Sequence, residues 1–291
     1  MRFDSFHPAI NFLFFGVTVC VAVLFNQPVF LAIGYVCAFV YSVYLSGKKA
    51  LIFNVALIIF ICLFTLFYSG YHHFGVTDLG INPIGNHITL EAVITGLVIG
   101  GTAATVFMWG SCMCAVISGD KVIYLFGRIS PRFSLFFSIL LRMVPRIAGK
   151  ARQMNMAQTA VGRGIGQGNI LQRIHNFFRI ASILWTWVSE SLIETSDSMR
   201  CRGYTLKGRT AFSIYRFDYR DRGMVLTMVC GIAIMLAGIL LDQTHILYNP
   251  EIRINRITPL SFLFYFVYGL FCLFPLLVQA IGEWNFRKKH K

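Results

Sequence analysis

Charged residues are scarce in this 291-residue chain, and acidic residues are scarcer than basic ones. Asp, Glu, Lys and Arg together make up 13% of the sequence, about half of the roughly 25% that is usual in soluble domains. Hydrophobic residues make up 56%, and the mean hydropathy is +0.66. This composition excludes intrinsic disorder and an ordinary soluble enzyme, and it indicates a membrane protein.

Common signatures of catalysis and metal binding are also missing. The sequence contains no His-Glu-x-x-His pair, no nucleophile elbow and no pair of carboxylates placed for acid–base chemistry. Most cysteines lie inside apolar runs, where a thiol behaves as a small hydrophobic group. Cys112 and Cys114 do not have the spacing of zinc ligands. We therefore predict no catalytic residue, no metal site and no disulfide framework.

Six long apolar runs account for the hydrophobic content. Each approaches the roughly 20 residues that a helix needs to cross a hydrocarbon core about 30 Å thick, and none alternates as a membrane β-strand does. We predict an all-α polytopic membrane protein with about six transmembrane helices. The first two runs are separated by a three-residue turn, so a tight hairpin is the alternative to two separate spans. The first run has no small-x-small cleavage pattern, so we expect an uncleaved anchor rather than a cleaved signal peptide. The runs cover residues 9–25, 29–45, 50–68, 92–118, 223–241 and 260–281.

The positive charge is concentrated in one segment. Residues 118–222 contain 17 of the 26 Lys and Arg but 6 of the 12 Asp and Glu, which gives this segment a net charge of +11 out of +14 for the chain. Residues 69–91, on the opposite side of the predicted membrane, contain no Lys or Arg. The positive-inside rule therefore places both termini and residues 118–222 in the cytoplasm, in a multi-pass protein of the cell membrane.

The basic segment is predicted to be helical. Apolar residues recur at helical spacing from Phe133 to Val144, and Pro145 is expected to bend or restart that helix, which then continues over residues 147–161. A second helix is predicted from about Ile170 to Cys201, with a length of about 48 Å. The expected domains are a membrane domain with four spans at 1–118, a cytoplasmic domain of long helices at 119–222, and a membrane domain with two spans and a basic tail at 223–291.

Each cytoplasmic helix finishes beside an arginine with neighbouring glycine. Gly162-Arg163-Gly164 follows the first helix, and Cys201-Arg202-Gly203 ends the second, where Gly203 suits a left-handed C-cap. An arginine at such a place satisfies free carbonyls and the helix dipole, which explains one such end well. A pair in one basic domain favours docking, because a planar guanidinium on a rigid tip fits a groove with acidic walls.

The two motif segments resemble the Ala-Arg-Gly motifs of the transmembrane T component of energy-coupling factor (ECF) transporters, the EcfT/CbiQ-like family. The segments are Met156 to Gly164 and Ser198 to Tyr204, and residues 205–210 are similar to the continuation of the second motif. The resemblance covers most of the chain in topology and residues 155–210 in motifs. Gly162 and Cys201 stand where the family has alanine, and Gly162 is expected to weaken its helix end by up to about 1 kcal/mol.

This resemblance implies a scaffold rather than a catalyst. T components join two cytoplasmic ABC-type ATPase subunits to a membrane S component that captures a vitamin or a transition-metal ion. It follows that this chain binds no cofactor, that the partner subunits hydrolyse ATP, and that the S component decides whether the substrate is a vitamin, cobalt or nickel. The residues implied in ATPase docking are Gly162, Arg163, Gly164, Cys201, Arg202 and Gly203.

A stripe of apolar residues along the second helix is the candidate contact with the S component. Packing against the transmembrane bundle is an equally good interpretation of this stripe. An acidic row on the same helix, Glu190, Glu194 and Asp197, either pairs with basic residues between Arg142 and Arg152 or stays solvated. The stripe comprises Ile174, Phe177, Phe178, Ala181, Leu184, Trp185, Val188 and Leu192.

Two alternatives come from other functional classes. The first is a membrane-embedded enzyme that acts on anionic lipid through its basic loop, although the loop has no acid–base or metal set. The second is a scaffold that binds anionic lipid or nucleic acid by charge alone, and such binding fades steeply as salt is added. Under the T-component interpretation, membrane lipid is an expected partner and nucleic acid is not.

Overall fold

A computed structural model of the chain describes most of the sequence. Within the described residues it contains nine α-helices and one short β-hairpin, which confirms an all-α polytopic membrane protein. The described residues are 3–72, 74–75, 77–81, 87–129, 131–204, 206, 215, 217–241, 243–244, 246, 248 and 258–289. The elements are α1 (Pro8–Leu24), α2 (Pro28–Ser46), α3 (Lys48–Tyr71), β1 (Asp78–Ile81), β2 (His87–Thr89), α4 (Leu90–Val116), α5 (Gly119–Ile129), α6 (Pro131–Ala160), α7 (Ile170–Cys201), α8 (Tyr219–Leu240) and α9 (Pro259–Lys289).

Five of these helices are long and apolar enough to cross a membrane. They are α2, α3, α4, α8 and α9, with mean hydropathies between 1.7 and 2.8 over their most apolar windows. Helix α1 is also apolar but has 17 residues, about 26 Å at 1.5 Å per residue, slightly less than a core about 30 Å thick. Five of the six predicted spans therefore meet this standard, and a sixth span at α1 stays a prediction.

Aromatic side chains fill the centre of the membrane helices. Trp109 of α4 is fully buried, and its ring centroid lies 6.0 Å from that of Phe14, 6.3 Å from that of Phe15 and 6.1 Å from that of Tyr41. Lipid tails are as apolar as these side chains, so close packing rather than water exclusion holds membrane helices together. The rings of α1, α2 and α4 therefore act as the shared packing centre of these three helices.

A β-hairpin and a buried carboxylate organise the segment between α3 and α4. Strands β1 and β2 pair antiparallel, and Glu91 in the first turn of α4 accepts hydrogen bonds from the hydroxyl of Thr77 at 2.8 Å and from its N–H at 3.4 Å. Before α9, the hydroxyl of Tyr248 donates to the carbonyl of Asn26 at 2.7 Å, and burial raises the pKa of Tyr248 to about 12. Thr77, Glu91 and Tyr248, which lie at or beyond helix ends, are thus hydrogen-bonded within the chain.

The chain divides into two compact units. One consists of residues 1–118 and 215–291, and the other of residues 119–214. The second unit contains α5, α6 and α7, both arginine motifs and the apolar stripe. Pro145 is expected from the sequence to bend or restart the helix; α6 continues through Pro145 to Ala160, so the restart does not occur and the bend stays a prediction. A proline removes only its own N–H from the helix, and the turns on both sides of position 145 remain helical.

Candidate docking tips of the 119–214 unit

The first motif lies where α6 gives way to a tight loop. Gly162 has a φ of 79°, in the left-handed region. Its N–H donates to the carbonyl of Thr159 at 3.0 Å, and the N–H of Arg163 donates to the carbonyl of Gln158 at 2.9 Å. This pair of bonds is a Schellman motif, in which a left-handed glycine closes the end of a helix.

The second motif closes α7 with the same backbone pattern. Gly203 has a φ of 75°, and its N–H donates to the carbonyl of Arg200 at 3.0 Å. The N–H of Tyr204 donates to the carbonyl of Met199 at 3.2 Å. The predicted left-handed C-cap at Gly203 is therefore confirmed. Residues 205 and 207–210, which continue this motif in the sequence, lie outside the described residues.

The two arginines occupy different positions relative to these helix ends. Arg163 follows the left-handed glycine of its tip, whereas Arg202 precedes the glycine and is the C-cap residue of α7. In the sequence motifs Arg163 corresponds to Arg202. In the hydrogen-bond pattern of the two helix ends, however, Arg163 corresponds to Tyr204. The last turn of α7 therefore orients Arg202, while the loop after α6 orients Arg163.

Both arginines are available to a partner. Arg163 and Arg202 are exposed, and neither guanidinium is ion-paired or hydrogen-bonded within the part of the chain that the structure describes. Cys201 and Gly162 are exposed, Gly203 is half-buried and Gly164 is buried. Each tip thus presents an unpaired guanidinium beside backbone that carries little side chain, which suits close contact with acidic groups.

Gly162 does not weaken its helix end, contrary to the expectation from the sequence. That expectation treated it as a helix-interior residue, but Gly162 lies two positions past Ala160, the last residue of α6, and carries the left-handed backbone that closes the helix. At such a position a residue with a Cβ atom is the strained one. Relative to the arginine of each motif, the left-handed turn comes two residues earlier in the first tip than in the second, so glycine rather than alanine suits position 162.

A substitution series tests this assignment of the left-handed glycines. We expect Gly162→Ala and Gly203→Ala each to destabilise the local helix end by about 1 kcal/mol, because alanine is strained in this backbone region. Hydrogen exchange of the full chain should then show about fivefold faster exchange at the amides of the affected tip. Gly166→Ala is the matched control, since a Cβ atom there meets nothing within 4 Å and φ is not positive. Equal exchange in Gly162→Ala and the control would contradict the assignment.

The apolar stripe of α7 is largely exposed. Phe178 and Trp185 retain 65% and 74% of their accessible surface. The buried face of α7 carries Asn176, Ile180 and Ser191, roughly a quarter turn around the helix from the stripe. The stripe is therefore not the surface through which α7 packs on α6. Of its other members, Ile174, Phe177 and Leu192 are exposed, and Ala181, Leu184 and Val188 are half-buried.

Helices α6 and α7 contact each other through an aromatic side chain that the sequence did not single out for this role. The guanidinium carbon of Arg146 lies 5.6 Å from the ring centroid of Trp187, and the ammonium of Lys150 lies 5.7 Å from it. Such cation–π contacts stabilise by about 0.5–1 kcal/mol each at exposed sites. Within the described residues, the acidic row of α7 is exposed and makes no ion pair. Of the two interpretations of this row, the structure therefore favours the one in which its carboxylates stay solvated.

Comparisons with known proteins find relatives of part of the chain. The sequence matches no protein-family model. It is 29% identical over 112 residues to the energy-coupling factor transporter transmembrane protein EcfT 1 of Listeria monocytogenes serotype 1/2a (strain 08-5578). The aligned residues make up 38% of this chain and 41% of that protein. It is 31% identical over 106 residues to EcfT of Staphylococcus aureus (strain 04-02981), and these residues make up 36% of this chain and 39% of that protein. The chain thus matches about two fifths of each relative's length, and the resemblance to EcfT is confirmed.

Proposed function

We propose that this EcfT-like chain is the transmembrane T component of an energy-coupling factor importer. The observation that carries the proposal is the pair of exposed arginines at two glycine-closed helix ends, neither of which has an ion pair or a side-chain hydrogen bond among the described residues. They stand in a unit that is continuous in the chain with five membrane-length helices. Both curated relatives are named as transmembrane proteins of such transporters. The role is that of a scaffold, and ATP hydrolysis belongs to the partner subunits.

In this proposal each arginine tip docks into one of two ABC-type ATPase subunits. A guanidinium forms two parallel hydrogen bonds with a carboxylate, which adds direction as well as strength to the contact. The net charge of +11 on residues 118–222 attracts an acidic groove before contact is made. Since α7 has 32 residues and a length of about 48 Å, a displacement of its tip is carried along a stiff rod.

The exposed stripe of α7 is the proposed contact with the membrane S component. Exposed aromatic residues such as Phe178 and Trp185 bury a large area when a partner covers them. Closure of the ATPases on ATP would move both tips, and the Trp187 contact with Arg146 and Lys150 links α6 to α7 during that movement. The stripe would then pass the displacement to the S component, which supplies the specificity for a vitamin or a transition-metal ion.

Identification of the partners tests the proposal. We expect the full chain, purified with an affinity tag from its native membrane in mild detergent, to bring down two ABC-type ATPase subunits and a small membrane protein. Because shaped docking includes apolar and bidentate contacts, the ATPases should remain bound at 0.5 M salt, where charge-only contacts are screened over about 3–5 Å. Recovery of anionic lipid without ATPase subunits would contradict the proposal and support the charge-only alternative.

A further inference from the structure

We infer that three side-chain amides, those of Asn155, Gln167 and Asn176, form a clamp that positions Arg163 for docking. The inference rests on the proposed docking role of that arginine. It assigns positioning residues outside the arginine motif, on α6, on the loop after it and on α7. We call these three residues the amide clamp.

The centre of the clamp is the buried backbone of Gly164. Its N–H donates to Oε1 of Gln167 at 3.0 Å, and its carbonyl accepts from Nδ2 of Asn176 at 3.2 Å. Asn176 is 8% exposed although it is polar, and this hydrogen bond satisfies its amide nitrogen. The side chains of Gln167 and Asn176, which lie 3 and 12 residues further along the chain, thus bond both the N–H and the carbonyl of Gly164.

The rest of the clamp ties the same loop back to α6. Oδ1 of Asn155 accepts from the N–H of Ile165 at 3.1 Å, and Nε2 of Gln167 donates to the carbonyl of Thr159 at 3.3 Å. A Cβ atom on Gly164 would lie 3.1 Å from the Cα of Thr159 and would meet the hydroxyl of that threonine. The second glycine of the first motif is therefore required by this closed loop, independently of any partner.

Arg163 needs such a device because the helix does not orient it. It lies beyond the left-handed Gly162, so only its N–H is tied to α6, through the carbonyl of Gln158. The clamp holds the next residue, Gly164, through Gln167 and Asn176. The backbone of Arg163 is therefore fixed by hydrogen bonds at its own N–H and at the residue that follows it. Ordering a loose loop during binding weakens the complex, whereas a loop held beforehand presents its guanidinium without that loss. Arg202 lies in the last turn of α7, where helical hydrogen bonds serve this purpose.

Hydrogen exchange of the full chain in detergent tests whether the clamp exists. Gln167→Met and Asn155→Leu remove an amide at nearly constant volume, and each should accelerate exchange at the amide it satisfies, that of Gly164 or of Ile165. Gln153→Met is the matched control, because Gln153 is an exposed amide on α6 without a hydrogen bond among the described residues. Unchanged exchange in both clamp variants would overturn the inference.

Binding measurements test whether the clamp acts through Arg163. With the ATPase subunits that copurify with the wild-type chain as the probe, Gln167→Met should weaken binding about tenfold, or about 1.4 kcal/mol. In an Arg163→Ala background the same change should weaken binding by less than about twofold, because coupled residues are not additive.

The outcomes separate failure of the clamp from failure of the proposed function. An equal loss with and without Arg163 would mean that Gln167 supports the fold alone, and it would overturn the positioning role. Undiminished binding by Arg163→Ala would instead refute docking through this arginine, and with it the role of the clamp, while the exchange experiment would still report whether the clamp forms. Full affinity of Gln167→Met with Arg163 present would also overturn the inference.

Discussion

Reversal of both tip arginines, Arg163→Glu together with Arg202→Glu, should abolish ATPase binding and transport-coupled ATP hydrolysis. A hydrogen bond to a charged group contributes about 1.5–3 kcal/mol, so removal of one tip contact should weaken binding by roughly 10- to 100-fold. A glutamate adds repulsion from an acidic groove, and loss of both contacts compounds the effect to about 1,000-fold or more. The measurement is ATP hydrolysis by the reconstituted complex, with subunit recovery quantified in parallel.

The control for this experiment holds the total charge constant. Arg142→Glu with Arg152→Glu makes the same change in net charge at exposed positions of α6, away from both tips. If the basic unit acts by charge alone, as on an anionic lipid surface, the two double variants should be equally impaired. The docking proposal expects near-normal activity in the control, and equal loss in both would contradict it.

Two substitutions on the apolar stripe, Phe178→Glu together with Trp185→Glu, should abolish binding of the S component while the ATPases stay bound. Each aromatic side chain buries about 150–250 Å² in an interface, and aromatic anchors of this kind contribute about 2–4 kcal/mol each. A buried, unpaired carboxylate adds a desolvation penalty, so binding of the S component should fall by more than about 100-fold. Quantitative recovery of each subunit after affinity purification measures both effects at once.

Ile193→Glu is the matched control for the stripe. Ile193 is an exposed apolar residue of the same helix, at 63% exposure, and it lies off the stripe by about a quarter turn. It should leave both partners bound. If the stripe packs on the bundle of this chain, Phe178→Glu with Trp185→Glu would instead lower the yield and thermal stability of the isolated chain. That result would refute the S-component contact and support the alternative interpretation.

Helices were predictable where the sequence contains an apolar run of membrane length or residues that cap a helix. The run at 29–45 became α2, Pro28–Ser46, and the helix expected at 170–201 is α7 over the same residues. The start of α7 follows from Asn169, which forms a capping box with Gln172, and its end follows from Gly203. Membrane length and strong caps are local properties, so they can be seen without tertiary structure.

Elements that depend on neighbours were not predictable in this way. Strands β1 and β2 have four and three residues, too short for a clear periodic signal. Helix α5, with 11 residues, is strongly amphipathic, so its helical periodicity is visible in the sequence and its absence from the prediction is an error. Pro145 favoured a bend or a restart, and the restart does not occur, because helix on both sides of a proline can continue when only one N–H is lost. Local propensity sets a preference here, and the surrounding turns decide the outcome.

The two glycine-closed helix ends were predictable in their residues but not in their geometry, and docking through them stays a proposal. Arginine beside glycine at the end of a helix is visible in the sequence at both motifs. Gly162 and Gly164 were both available for the left-handed position of the first tip, and the hydrogen bonds of Gln158 and Thr159 place the turn at Gly162. The clamp depends on amides up to 21 residues apart in the chain, between Asn155 and Asn176. Such pairings arise only from the tertiary arrangement.

Crosslinking from the two arginine positions tests the central claim most directly. A photoreactive amino acid placed at position 163 or at position 202 of the full chain, and activated in intact membranes, reports which molecule touches each tip. The docking account predicts a crosslink to an ABC-type ATPase subunit from both positions, and none from position 152 on the exposed face of α6. Crosslinks from 163 and 202 to lipid alone, or equal crosslinks from all three positions, would contradict it.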